Sequence, residues 1–181
     1  YGFAMQLLQS NGYLKKVAEE NPISLASAVL NVAAVGLSLN PAKSQAYLIP
    51  RNVKMGDKWI SKICFDPSYR GFCDLATMSG EIKWIQVNVV YENDTFLDNG
   101  PGEKPSHEYD AFAPITERGE LRGVYCVAKT KDGDFLTTVM REDELLSIRD
   151  KSEAWKRNQS GPWKDFPVEQ RKKTVVRRAW K

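Results

Sequence analysis

Leu121-Arg122-Gly123-Val124-Tyr125-Cys126-Val127-Ala128-Lys129-Thr130, then Lys131-Asp132-Gly133-Asp134, then Phe135-Leu136-Thr137-Thr138-Val139-Met140, is the stretch that decides the fold class. Two runs rich in β-branched and aromatic residues flank an Asp-Gly step, which predicts two antiparallel strands closed by a tight turn. Just upstream, Ile82 to Tyr91 alternates Ile85, Val87, Val89 and Tyr91 against Trp84, Gln86 and Asn88, the period of a half-buried strand. Farther back, residues 45–50 and 59–65 flank Met55-Gly56-Asp57 and read as another hairpin.

Helical patterns surround these strands. Ser24 is placed to cap a helix reaching about residue 37, with Leu25, Ala28, Val29, Val32 and Ala33 as its apolar stripe and Asn40-Pro41 beyond it as the stop. Ser68 caps a second helix that turns Phe72, Leu75 and Ala76 inward and ends at Ser79-Gly80. Residues 141–150 open with three acids suited to a helix N-terminus and carry Leu145, Leu146 and Ile148. Ser160-Gly161-Pro162 breaks the chain, and a last helix is expected over residues 168–181. Residues 93–120 read as a long polar loop with room for a short hairpin, though none is forced into it. The expected fold is α+β, with a mostly antiparallel sheet, a β-hairpin and packed helices. A chain of 181 residues, 42% hydrophobic, fits one domain over 1–181, expected to be a fragment of a longer chain.

Net charge is a modest +3, and its distribution says more than its sum. Residues 84–140 hold five Lys/Arg against ten Asp/Glu, whereas residues 141–181 hold twelve against seven. Cys64, Cys73 and Cys126 are odd in number and widely spaced, as expected of reduced thiols in a cytoplasmic core. No apolar run nears the ~20 residues that span a bilayer, so no membrane partner is expected.

Two basic sets stand out. At 100° per residue, Arg171, Lys173, Arg177, Arg178 and Lys181 gather opposite Val175, Val176, Ala179 and Trp180 on the last helix, with Lys172 amid the apolar side. The other set is Lys43, Arg51, Lys54, Lys58, Lys62 and Arg70 on the first hairpin and the turn after it, interleaved with Tyr47, Trp59 and Tyr69. Lysine and arginine track phosphates, and exposed rings stack on bases. The bland alternatives are a solvated helix face and aromatic rings packed in a core.

Catalytic patterns are weaker. No GxxxxGK[ST] or Gly-rich loop is present to cradle ATP. His107, the one histidine, has no nearby cysteine to suggest zinc or a Cys-His dyad. Asp66, Asp74, Glu81 and Lys83 loosely match the carboxylate-and-lysine chemistry of a metal-dependent nuclease, which stays as an alternative beside a single-strand-binding module that does not anneal.

Several stretches stand in a definite order. They are Ser24-Leu25 into the alanine-rich helix with Gly36-Leu37-Ser38-Leu39-Asn40-Pro41, then Gln45-Ala46-Tyr47-Leu48-Ile49-Pro50. Tyr69-Arg70-Gly71-Phe72-Cys73-Asp74-Leu75-Ala76 with Ser79-Gly80-Glu81-Ile82 follows, then Val89-Val90-Tyr91-Glu92-Asn93-Asp94. Ser160-Gly161-Pro162-Trp163 leading to Arg171-Lys172-Lys173-Thr174-Val175-Val176-Arg177-Arg178 completes the series. Taken together, these stretches resemble the RecT/Redβ family of phage-type annealing proteins. Members of that family come from bacterial or phage-infected cells, so the resemblance implies such a cytoplasm. The resemblance implies single-strand annealing in homologous recombination without ATP, on rings or helical filaments of many copies, and a distant likeness to eukaryotic annealing-ring proteins. It also implies as partners single-stranded DNA, the annealed duplex intermediate, a 5′-to-3′ exonuclease and a single-strand-binding protein, with magnesium left open as a cofactor. Trp163 joins the expected DNA-binding set on this ground. Family members continue past Trp180-Lys181, often into a region that contacts the exonuclease or single-strand-binding protein, so those two contacts are in doubt for this chain.

Overall fold

A computed structural model describes residues 2–180, in which helices make up 42% and strands 30%, an α+β protein with antiparallel sheets. The chain separates into two compact units, Tyr1–Leu75 and Ala76–Lys181.

The first unit opens with α1 (Gly2–Ser10), α2 (Gly12–Glu20) and α3 (Pro22–Ala34). Asparagines start the second and third helices: the Asn11 side chain accepts from the Leu14 N–H at 3.0 Å, and that of Asn21 from the Ser24 N–H at 3.1 Å. Ser24 is therefore not the cap that the sequence suggests. Pro22 at the first helical position moves the start back, because its missing N–H would have no helical partner there. The Ser24 hydroxyl instead accepts from the Ile63 N–H at 2.9 Å, tying α3 to a strand. The helix ends earlier than Asn40-Pro41 would require. Gly36 takes a φ of 73° and the Leu37 N–H reaches back to the Val32 carbonyl at 3.1 Å, the six-to-one bond of a glycine-terminated helix.

Strands β1 (Ala46–Met55) and β2 (Lys58–Pro67) pair antiparallel across Gly56-Asp57, each longer than expected. Ala46, Leu48 and Ile63 face α2 and α3, forming one core with Val17, Ala28, Val32, Leu37 and Leu39. Helix α4 (Tyr69–Met78) starts as the sequence indicates, with the Ser68 hydroxyl accepting from the Gly71 N–H at 3.0 Å. Gly71 has a steric reason: a Cβ there would overlap the Gln45 carbonyl oxygen. The Gln45 side chain joins these pieces, donating to Asp74 at 2.7 Å and accepting from the Ser38 N–H at 2.9 Å.

In the second unit β3 (Ile82–Tyr91), β6 (Leu121–Thr130) and β7 (Phe135–Arg141) form an antiparallel sheet ordered β3-β6-β7. One face carries Val124, Cys126 and Met140, all buried, and receives α6 (Glu142–Arg149) and α9 (Pro167–Ala179) with buried Leu145, Val175 and Val176. The other face is partly covered as well: Val90, Tyr125 and Val127 are buried, with Trp84, Phe96 and Phe135 against them. The clean half-buried alternation expected of residues 82–91 is thus blurred.

The long loop of residues 93–120 does hold a short strand pair, β4 (Thr95–Leu97) with β5 (Ser106–Glu108), and also α5 (Ile115–Arg118). Between α6 and α9 lie α7 (Glu153–Asn158) and α8 (Pro162–Asp165), the latter starting after Gly161 at φ 83°. Trp180 caps α9, and Lys181 lies outside the described residues.

Candidate nucleic-acid interface

Helix α9 sorts its cations into two rows. Val175 and Val176 point into the core, so Arg171 and Arg178 fall on one flank, Lys173 on the other, and Arg177 most nearly opposite the core. The Arg171 guanidinium engages Glu142 through two nitrogens, Nε at 2.8 Å, and Nη1 donates to the Pro167 carbonyl at 3.0 Å. Its side chain is 13% exposed. Arg178 reaches Glu144 at 2.8 Å, and this hydrogen bond holds the Glu144 carboxyl below the usual carboxylate range. Lys172 pairs with Glu169 at 3.3 Å. Arg177 is exposed and, among the described residues, has no ion-pair partner. Lys173, one turn before it, is half-buried.

The acids that meet Arg171 and Arg178 come from α6. On α9 itself only Glu169 offers local compensation, so the sequence of that helix gives no hint of them. The signal was the run Glu142-Asp143-Glu144, legible as a dipole-favoured helix start but not as a counter-charge for another helix. Trp163, in the expected DNA-binding set, is buried in α8 with Arg171 5.9 Å from its ring, and offers no open face for a base.

The first unit carries the other basic set on a two-stranded ribbon. The register pairs Tyr47 with Asp66, Arg51 with Lys62, and Lys54 with Trp59. Alternation then puts Tyr47, Arg51 and Lys62 on the face away from α2 and α3, together with Ile49 and Val53. Lys54 and Trp59 belong to the opposite face, beyond the helices at the hairpin tip, where Trp59 is 70% exposed. Arg51 lies 3.7 Å from Asp66. Lys43 is exposed in the turn before β1, and Arg70 rests on the Tyr69 ring at the start of α4. Tyr47 and Trp59, adjacent in the sequence reading, therefore look in opposite directions.

One cleft of the second unit is unsuited to phosphate. At about 410 Å³, it is lined by Glu92, Glu120, Leu121 and Arg122, two carboxylates against one guanidinium. Among the described residues no three of His, Cys, Asp and Glu converge as a metal site. Of the nuclease candidates, Asp74 accepts from Gln45, and Glu81 pairs with Lys131 at 2.7 Å. Burial first, and the neighbouring Asp74 second, push the Cys73 thiol up to about 11, so it stays protonated near neutrality.

With this geometry in place, comparison with known proteins is decisive: the model of the RecT family matches residues 3–181. The chain belongs to the RecT family. It is also 35% identical over 167 residues to Protein RecT of Escherichia coli (strain K12), covering 88% of this chain and 57% of that protein. The chain thus spans little more than half the length of that relative. RecT-family membership makes the ordered motifs of the sequence a true kinship, and the family is one of recombination proteins. No described helix is long and apolar enough to cross a membrane.

Proposed function

We propose that this RecT-family chain binds single-stranded DNA and anneals complementary strands without ATP, with several copies side by side on one strand. The observation that carries the reading is the division of labour on α9. Arg171 and Arg178 fix the helix to α6, while Arg177 stands exposed on the side away from the core, where phosphates can reach it, with Lys173 half-buried on the flank beside it. The ribbon face bearing Tyr47, Arg51 and Lys62 supplies a second contact, with a ring for a base and cations for the backbone.

Annealing needs no fuel, since each new base-pair step is worth ~1.4 kcal/mol on average. What blocks it is strand repulsion and self-pairing. Cations that hold a strand by its phosphates leave base edges open to a complement, so binding is indifferent to sequence. Chemistry on the DNA has no part in this reading, and the protein acts as a binding module rather than an enzyme. Magnesium enters only as a counter-ion that competes for phosphate. An exonuclease that exposes single strands and a single-strand-binding protein are the partners such a reaction calls for.

The test is strand annealing of two complementary labelled oligonucleotides without nucleotide. Acceleration over the protein-free rate, reduced in a Lys173→Ala/Arg177→Ala double variant, supports the reading. Tight single-strand binding without acceleration leaves a coating module, and metal-dependent cleavage leaves a nuclease.

A further inference from the structure

The excursion between β3 and β6 is held at its base and bare at its tip. Asp94 is buried and takes two hydrogen bonds from Arg118, Nε at 2.8 Å and Nη2 at 2.6 Å, with the Tyr91 N–H at 2.8 Å and His107 Nε2 at 3.1 Å. The Arg118 guanidinium lies between the Tyr91 and Tyr109 rings, 4.5 and 3.9 Å from their centroids. Beyond this anchor the Asp110 side chain and carbonyl accept from the Phe112 and Ala113 N–H groups, a tight turn that holds Phe112 out from the surface at 96% exposed. Held in this turn, Phe112 presents its ring to solvent as a knob, and Tyr109, 46% exposed, and Ile115, 63% exposed, stand within three residues of it, an apolar grouping of the kind that marks contact with another protein.

The charge around the knob narrows what that is. Residues 92–120 carry eight Asp/Glu and two Lys/Arg, which repels nucleic acid and favours a positive protein surface. The first unit carries eight Lys/Arg against five Asp/Glu. It also holds an uncharged helix, α3, whose outer side is apolar: Ile23, Ala26, Leu30 and Ala33 fall within about 80° of arc at 100° per residue. Ile23 is 78% and Leu30 67% exposed, with the two alanines leaving a shallow seat between them.

We infer that the Phe112 knob of one copy docks on the outer face of α3 of a second copy, between Ile23 and Leu30. Knob and seat are different surfaces of the same chain, so each copy offers one to each neighbour and the contact propagates head to tail. The acidic excursion then meets the net-positive unit of its neighbour. This inference rests on the proposal that copies act side by side, and supplies the surface that joins them.

The experiment uses the 181-residue chain without DNA. Sedimentation across a concentration series reads assembly for the wild type, Phe112→Asp, Leu30→Asp and the double variant. Each single change should raise the concentration for half-assembly by about tenfold or more, as loss of an apolar anchor does. The double should be little worse than either single, because both remove the same contact. A photoreactive benzoyl-phenylalanine at 112, in a mixture of isotopically light and heavy copies, should crosslink between copies to the peptide containing Ile23 and Leu30. A monomeric wild type, unchanged assembly in the variants, multiplying effects in the double, or crosslinks elsewhere or within one copy would each overturn the docking. Binding of a short oligonucleotide, measured in parallel, should be the same for Phe112→Asp and wild type. Its absence from both would count against the DNA-binding proposal alone.

Discussion

The guanidinium of Arg171 grips the carboxylate of Glu142 at two points, with Nε 2.8 Å from Oε2, and so fastens α9 to the helix that follows β7. A cation spent this way contributes to folding before it contributes to binding. The same helix therefore carries charges held by α6 and, at Arg177, a charge open to solvent.

Arg171→Ala should destabilise the chain by about 2 kcal/mol, the scale of a charged hydrogen-bonded pair broken in a partly buried setting. Arg171→Lys should recover little of that, because an ammonium cannot reproduce the two-point fork. Lys173→Ala and Arg177→Ala should stay within about 0.5 kcal/mol of wild type. Urea unfolding of the four variants checks the contrast, and equal losses throughout would deny the division of labour.

For single-stranded DNA the order should reverse. Lys173→Ala and Arg177→Ala should each lower the slope of log affinity against log salt by about 0.7, one phosphate contact apiece, for every base sequence alike. Fluorescence anisotropy over a salt series measures it. An unchanged slope would remove that residue from the contact surface.

On the ribbon, the two exposed aromatics should not behave alike. Tyr47 shares its face with Arg51 and Lys62, so Tyr47→Ala should cost about 1–3 kcal/mol of affinity if it stacks on a base. Trp59 looks the other way, and Trp59→Ala should cost clearly less. Binding isotherms on oligonucleotides of fixed length decide it, and a larger loss at Trp59 would place the strand on the opposite face.

Much of this architecture was legible from local signals. Asp132-Gly133, Met55-Gly56-Asp57 and Ser68 each fix a turn or a cap through chemistry confined to a few neighbours, and each lies where the sequence indicates. Ser24 was misread because two capping residues stand three apart, and the choice between them is made by Pro22 and by a distant strand N–H at Ile63. The Asp94 cluster was invisible for a similar reason. Its members span Tyr91 to Tyr125, and only the paired three-residue strands β4 and β5 bring His107 to Asp94. On α9 the periodicity set Val175 and Val176 inward, but the acids that claim Arg171 and Arg178 out of the expected basic face belong to another helix. Ribbon register, which separates Tyr47 from Trp59, depends on counting residues through a turn whose length the sequence left uncertain.

Asp94 should give the second unit an acid-sensitive anchor. Burial alone would push its carboxyl up, but the Arg118 hydrogen bonds, helped by the Tyr91 N–H and His107, hold it at about 2 against an ordinary 3.8. Because the folded value is the lower one, its contribution is whole above about pH 4 and is lost as pH falls towards 2. Asp94→Asn should be less stable than wild type at neutral pH, with the gap closing across that window. Urea midpoints at several pH values test this, and a gap independent of pH would show that the carboxylate charge is not what matters.

The most direct measurement concerns order of addition. The protein is given one labelled oligonucleotide and then its complement, or the same duplex already formed, and both complexes are challenged with rising salt. A strand held by its phosphates presents its bases to the complement, whereas a preformed duplex must be deformed to make the same contacts. The account predicts that the sequentially assembled complex survives to clearly higher salt. Equal dissociation of the two preparations would contradict annealing by this protein.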